Sequence, residues 1–104
     1  GLWAQLRLQE AGGGLRAPGD SVTFSCRGFG LTFSYYDIWW YRQASRGSPE
    51  LVSWISTTSF RKSAPDVEGR VSVSRDDSQS ESSLSLRALG PQDSARYFCA
   101  VLHG

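Results

Sequence analysis

Cys26 and Cys99 are the one pair of side chains in this sequence with a covalent option. The residues alone leave two readings open: free thiols in a reducing compartment, or a single disulfide in an oxidising one. A bridge closing residues 27–98 into a loop would stabilise the fold by about 4 kcal/mol through lost chain entropy. Two thiols cannot complete a four-ligand zinc site, and the single histidine, His103, stands almost at the end of the chain. No metal or cofactor is therefore expected. Catalytic chemistry is equally poorly supplied. There is no Cys/His cluster, no glycine-rich phosphate loop leading into a helix, and no candidate base beyond His103. Asp76 and Asp77 form an acidic pair, but in a polar turn. No catalytic residue is assigned, and the chain is not read as an enzyme.

The size of the chain says why a covalent staple would matter. Its 104 residues are expected to form one domain, 1–104. A domain near this size buries roughly two thirds of its unfolded surface, a modest core. Net charge is +1 without a basic block, so nucleic acid is not an expected partner. No apolar run approaches the ~18 residues of a membrane span, so a membrane link is expected only through segments downstream of this chain. There is no Asn, which rules out N-linked glycosylation here. No signal peptide is visible, and Gly1–Ala4 reads as a remnant of processing or cloning.

Short alternating runs separated by turn residues fill the chain, and none keeps a helical period. Gln5–Gln9 alternates until Ala11–Gly14 breaks it, and Ala17–Asp20 is a turn. Ser21–Cys26 places Val22, Phe24 and Cys26 on one face. Ile38–Gln43 and Glu50–Ile55 follow, divided by the polar turn Ala44–Pro49. Ser56–Ser59 is a loop, Arg70–Ser74 alternates, and Arg75–Ser82 is a polar hairpin region. Leu84, Leu86 and Leu89 keep strand spacing, and Ala95–Val101 is the last strand. Strands at this spacing predict an all-β sandwich or barrel. Charges on Arg7, Arg61 and Lys62 would guard its edge strands.

Cys26, Trp40 and Cys99, with Tyr97 two residues before the second cysteine, are in the order of the immunoglobulin signature. Longer runs agree. Gln5–Leu15, Gly30–Tyr36, Trp40–Ala44, Val67–Arg70, Ser74–Ser78 and Asp93–Cys99 all resemble an antibody heavy-chain variable domain. The resemblance implies a V-type Greek-key β-sandwich in which a Cys26–Cys99 bridge joins the sheets through the core. It has Trp40 packing on that bridge and the Tyr97 hydroxyl tied to backbone. It also implies an Arg70–Asp93 ion pair at the base, with Arg42 and Glu50 nearby, and an extracellular location at a cell surface or in secretion.

Alternation turns Ile38 and Trp40 inward and Trp39, Tyr41 and Gln43 outward, onto the face where variable domains pair. Tyr41, Pro49 and Leu51 depart from the heavy-chain pattern. Trp40–Gln43, Ser48–Val52 and Asp93–Val101 look more like T-cell receptor variable domains. A T-cell receptor chain using a heavy-chain-like segment is the reading favoured, and an antibody heavy-chain domain the alternative. An unpaired domain, a surrogate-light-chain-like subunit and an invariant V-set receptor are kept behind them. Trp39, Tyr41, Gln43, Pro49, Leu51 and Phe98 form the expected pairing face, an exposed aromatic cluster of the kind that marks interfaces. The expected partners are antigen, as a protein or presented ligand, and a second variable domain or receptor chain. The joining segment and its final strand lack a counterpart after Gly104.

Three loops should gather at one end: about Gly30–Asp37, about Ser56–Lys62, and Ala100–Gly104. Tyr35, Tyr36, Asp37, Trp54, Phe60, Arg61 and His103 are the expected antigen contacts. Tyr and Trp give large rigid surface at small entropy cost, and Tyr36 and Trp54 are singled out as anchors.

Overall fold

Inward and outward residues alternate along each strand, and the core follows from that period of two. The computed structural model describes residues 7–103. Gly1–Leu6 and Gly104, with the start of the Gln5–Leu15 run and the end of the third loop, lie outside the described residues, as does the side chain of Arg7. The strands are β1 (Arg7–Gly12), β2 (Val22–Phe29), β3 (Tyr36–Gln43), β4 (Glu50–Ile55), β5 (Arg61–Ser63), β6 (Val71–Asp76), β7 (Glu81–Leu86) and β8 (Arg96–His103). In β3, Ile38, Trp40 and Arg42 are buried while Trp39, Tyr41 and Gln43 stay half-exposed. In β7, Ser82, Leu84 and Leu86 turn inward. Short 3-10 turns cover Phe33–Tyr35, Asp77–Gln79 and Pro91–Asp93.

All pairings are antiparallel and make two four-stranded sheets, β1-β2-β7-β6 and β5-β4-β3-β8. The chain changes sheet between β2 and β3, between β5 and β6, and between β7 and β8. The Cys26–Cys99 disulfide joins β2 to β8, one strand from each sheet, across a Cα–Cα distance of 6.3 Å. Trp40 is fully buried in the same core cluster, beside Phe33, Ile38, Val52, Ile55 and Leu84. Its indole Nε1 donates to Ser82 Oγ at 3.0 Å, and that hydroxyl donates to Ser74 O at 2.7 Å. The polar atom of the largest core side chain is thus satisfied by the opposite sheet, as burial requires.

Element boundaries differ from the sequence reading where pairing satisfies more backbone than alternation reveals. The third loop, expected from Ala100, is strand as far as His103, because Tyr36↔His103 and Asp37↔Leu102 extend the ladder. Arg61 and Lys62, placed in the second loop, form β5 against β4. A bulge between Trp40 and Tyr41 lets both Val52 and Ser53 turn inward. Ser53 Oγ is hydrogen-bonded to Lys62 O and Ser63 Oγ, which makes its burial tolerable. Gly12 ends β1 at φ +97, and a Cβ there would stand 2.3 Å from Thr23 O, so only glycine fits. The outer face of the first sheet is polar, with Thr23 and Ser85 hydroxyls 2.9 Å apart.

The long loop closed by the bridge sets its expected contribution. Replacing both Cys26 and Cys99 by Ala should lower the unfolding free energy in urea by about 4 kcal/mol. A loss of under about 1 kcal/mol would show that the sheets are held by packing alone.

Candidate binding site

The two ends of the sandwich are each organised by a guanidinium. At the Gln43 end of β3, Asp93 accepts both arms of Arg70, NH1 to Oδ2 at 2.9 Å and NH2 to Oδ1 at 3.0 Å. Arg42 NH1 donates to Asp93 Oδ1 at 2.9 Å and to the Tyr97 hydroxyl at 3.1 Å, and its NH2 reaches Asp66 Oδ2 at 2.9 Å. Tyr97 in turn donates to Asp93 O at 2.8 Å. Glu50 lies opposite Arg42 in the ladder but is exposed, and the carboxylate beside Arg42 and Asp93 is that of Asp66. Nothing in the spacing of Asp66 distinguished it in the sequence. The bonds from Arg70 hold the Asp93 carboxyl at about 2, with help from Gly90 N–H and Arg42, against a burial cost that works the other way. Burial raises the Tyr97 phenol. This cluster is closed and saturated, and it fixes the base of the sandwich.

The Tyr36 end carries the loops. Arg75 in β6, its side chain 3% exposed, gathers them. Nε donates to Asp77 Oδ1 at 2.7 Å. NH1 donates to Ser56 O at 2.7 Å and Ile55 O at 3.4 Å, and NH2 to Phe33 O at 2.9 Å and Tyr36 O at 2.8 Å. The first two loops are thereby locked to each other and to the opposite sheet. Asp37, expected as a contact residue, has Oδ1 accepting Thr57 N–H at 3.0 Å, a second tie between the same loops. Ser56 Oγ accepts from Phe60 N–H at 3.0 Å and shapes the second loop from within. Arg75 was not singled out in the sequence, where it is one charge in the run Ser74–Ser78. Its role depends on acceptors far away along the chain.

Tyr35 and Phe60 are 64% and 62% exposed at this end, which leaves both rings available to a partner. His103 is exposed and its ring meets Tyr36 edge-on at 5.1 Å. Trp54 is within β4 and not in a loop. It stacks on Trp39 at 5.9 Å and meets Phe60 at 5.7 Å. Trp39 stacks on Tyr41 at 6.3 Å, and Tyr41 on Phe98 at 5.6 Å. The sequence reading divided these residues between a loop site and a pairing face. The register Trp39↔Trp54 and Tyr41↔Phe98 fuses them into one aromatic run from Phe60 to Phe98. Leu51 lies opposite Tyr41, Pro49 is exposed, and Gln43 Nε2 donates to Gly47 O at 2.8 Å. Arg61 lies away from the run, with Nε donating to Val73 O at 2.8 Å.

Residues 15–104 match the family model of the immunoglobulin V-set domain. The chain belongs to that family, whose members generally bind other proteins or paired chains and are generally not enzymes. A disulfide-bridged domain of this kind suggests an extracellular setting.

Two outcomes follow from the ends of the sandwich. Asp93 in the folded state titrates well below its unfolded value of 3.8, so its ion pairs contribute above about pH 4 and are lost as pH falls toward 2. Asp93→Asn should cost about 3 kcal/mol at neutral pH, by taking the shared carboxylate from Arg70 and leaving the buried Arg42 only the exposed Asp66, and should flatten the stability loss across that acid window. Urea unfolding at a series of pH values measures both. Arg75→Met should leave the Phe33, Tyr36 and Ser56 carbonyls without their donor. Amide exchange at Tyr35 and Thr57 should then accelerate by about tenfold or more, with Leu84 and Leu86 unchanged.

Proposed function

We propose that this chain is an antigen-receptor variable domain. It recognises its target through the loop end and pairs with a second variable domain or receptor chain through the outer face of β3, β4 and β8. The observation that carries the reading is the aromatic run from Phe60 through Trp54, Trp39 and Tyr41 to Phe98. An apolar stripe of that length on an outer sheet face is a surface in need of a partner. It also couples the two activities, since Phe60 belongs to the second loop and Phe98 to the pairing face. Tyr35, Tyr36, Phe60 and His103 present ring surface at the end where Arg75 has already met the ordering cost of the first two loops, and preorganised loops bind more tightly.

Within that class, the reading is a T-cell receptor chain built on a heavy-chain-like segment. The support is Tyr41: a large ring stacked on Phe98 stands where antibody heavy chains place a small aliphatic residue. An unpaired domain is the second reading. It draws on Gln43, whose amide donates to its own Gly47 O, and on the Arg96 guanidinium 4.9 Å above the Phe98 ring.

The transcript downstream of the Gly104 codon, read from several cells, tests the proposal. Codons that vary between cells and lead into Phe/Trp-Gly-x-Gly and a constant domain are the expected result. That constant domain then separates T-cell receptor from antibody. An identical continuation in every cell would overturn the reading in favour of an invariant V-set receptor or a surrogate subunit.

A further inference from the structure

The aromatic run is bracketed by charge. Lys62 lies opposite Trp54 in the register of β4 and β5, so it stands on the same outer face, where the run begins. Arg96 lies opposite Gln43, which places it on that face too, and its guanidinium is 4.9 Å from the centre of the Phe98 ring, where the run ends. Both residues are exposed, and neither has an ion-pair partner among the described residues. From β5 to β8 is about 14 Å across the sheet, and from the Trp39 row to the Gln43 row about 13 Å along it, so the two cations stand about 20 Å apart on the diagonal that the rings follow. Two nearby carboxylates do not offset them. Asp37 Oδ1 accepts Thr57 N–H at the loop end, off the line of the rings. Glu50, opposite the buried Arg42, belongs to the other side of β4.

An apolar stripe with a cation at each end cannot lie along a copy of itself without conflict. A symmetric pair offers two alignments, with the stripes running the same way or opposed. In the first, Lys62 faces Lys62 and Arg96 faces Arg96. In the second, each Lys62 faces an Arg96. Both set cation against cation, and like charges brought together across an interface suppress that pairing. Stripes crossed at a steep angle share only their middle rings.

We propose that Lys62 and Arg96 decide what this face accepts. They exclude a second copy of the chain and admit a different protein chain, one whose apolar strip carries a carboxylate at each end, about 20 Å apart. The inference rests on the pairing role proposed above and adds its selectivity. The rings by themselves would accept either partner, since apolar area is not directional. Carboxylates at the two ends complete both cations, and that complementarity sets register as well as choice.

Sedimentation equilibrium of the full chain tests the exclusion. The parent should remain monomeric. Lys62→Glu or Arg96→Glu alone makes the opposed alignment complementary at both ends, so each should self-associate at least about tenfold more tightly than the parent, and less so in high salt. Lys62→Glu with Arg96→Glu restores like charges and should return the chain to monomer. The admitted partner is tested with an end-blocked seven-residue peptide, glutamate at both ends and alternating leucine and proline between, which spans about 20 Å when extended. It should move the Trp39 and Trp54 indole resonances, and its lysine-ended counterpart should bind at least about tenfold more weakly. On the doubly reversed chain the preference should invert. A parent that dimerises through the stripe would overturn the proposal while leaving the face a pairing face. Single reversals as monomeric as the parent would also overturn it, as would equal binding of the two peptides or no indole shift at about 1 mM peptide. The pairing role itself is judged by the downstream transcript, so the two can fail separately.

Discussion

The Cys26–Cys99 bridge and the indole of Trp40 cross the same interval between the sheets, and the remaining structure depends on that crossing. The bridge fixes β2 against β8, and the Trp40–Ser82–Ser74 chain of hydrogen bonds fixes β3 against β7 and β6. One tie is covalent and indifferent to solvent, while the other holds only in a dry interior. With both in place the sheets cannot slide, and every outward residue of β3, β4 and β8 is set in register. The aromatic run is a consequence of that register.

At either end a guanidinium does what the core cannot. Arg70 and Arg42 close the base on one carboxylate, Asp93, whose depressed titration reflects the number of donors aimed at it. Arg75 closes the loop end on backbone carbonyls. The base is a shared network, in which the loss of Asp93 takes from Arg70 its carboxylate and leaves the buried Arg42 with only the exposed Asp66. The loop end is a fan of bonds from one donor, in which failure loosens surface segments and leaves the core standing. Rigidity is therefore distributed unevenly, firm at the base and conditional at the recognition end.

Much of the sandwich was legible in the sequence because its signals are local. Period-two alternation placed β2, β3 and β4, and the cysteines with Trp40 and Tyr97 marked the core. The ends of β8 and β5 were not, since Leu102 and His103 are strand by virtue of their partners in β3, not their own residue types. Asp66 and Arg75 stayed hidden for a related reason. Each is one charge among several, and what distinguishes it is a neighbour brought from elsewhere in the chain. The division of Trp54 from Trp39 had the same origin: sequence distance separated two rings that the ladder stacks.

Arg75 hydrogen-bonds main-chain oxygens at Phe33, Tyr36, Ile55 and Ser56, and its guanidinium also lies 5.7 Å from the ring of the buried Phe33. A carbonyl is present whatever residue bears it. Exposed neighbours such as Ser34, Tyr35, Thr58 and Ser59 can therefore be exchanged for other residues without changing what the guanidinium holds. The recognition end can be rewritten letter by letter while its posture is kept, which separates the inheritance of shape from the inheritance of specificity.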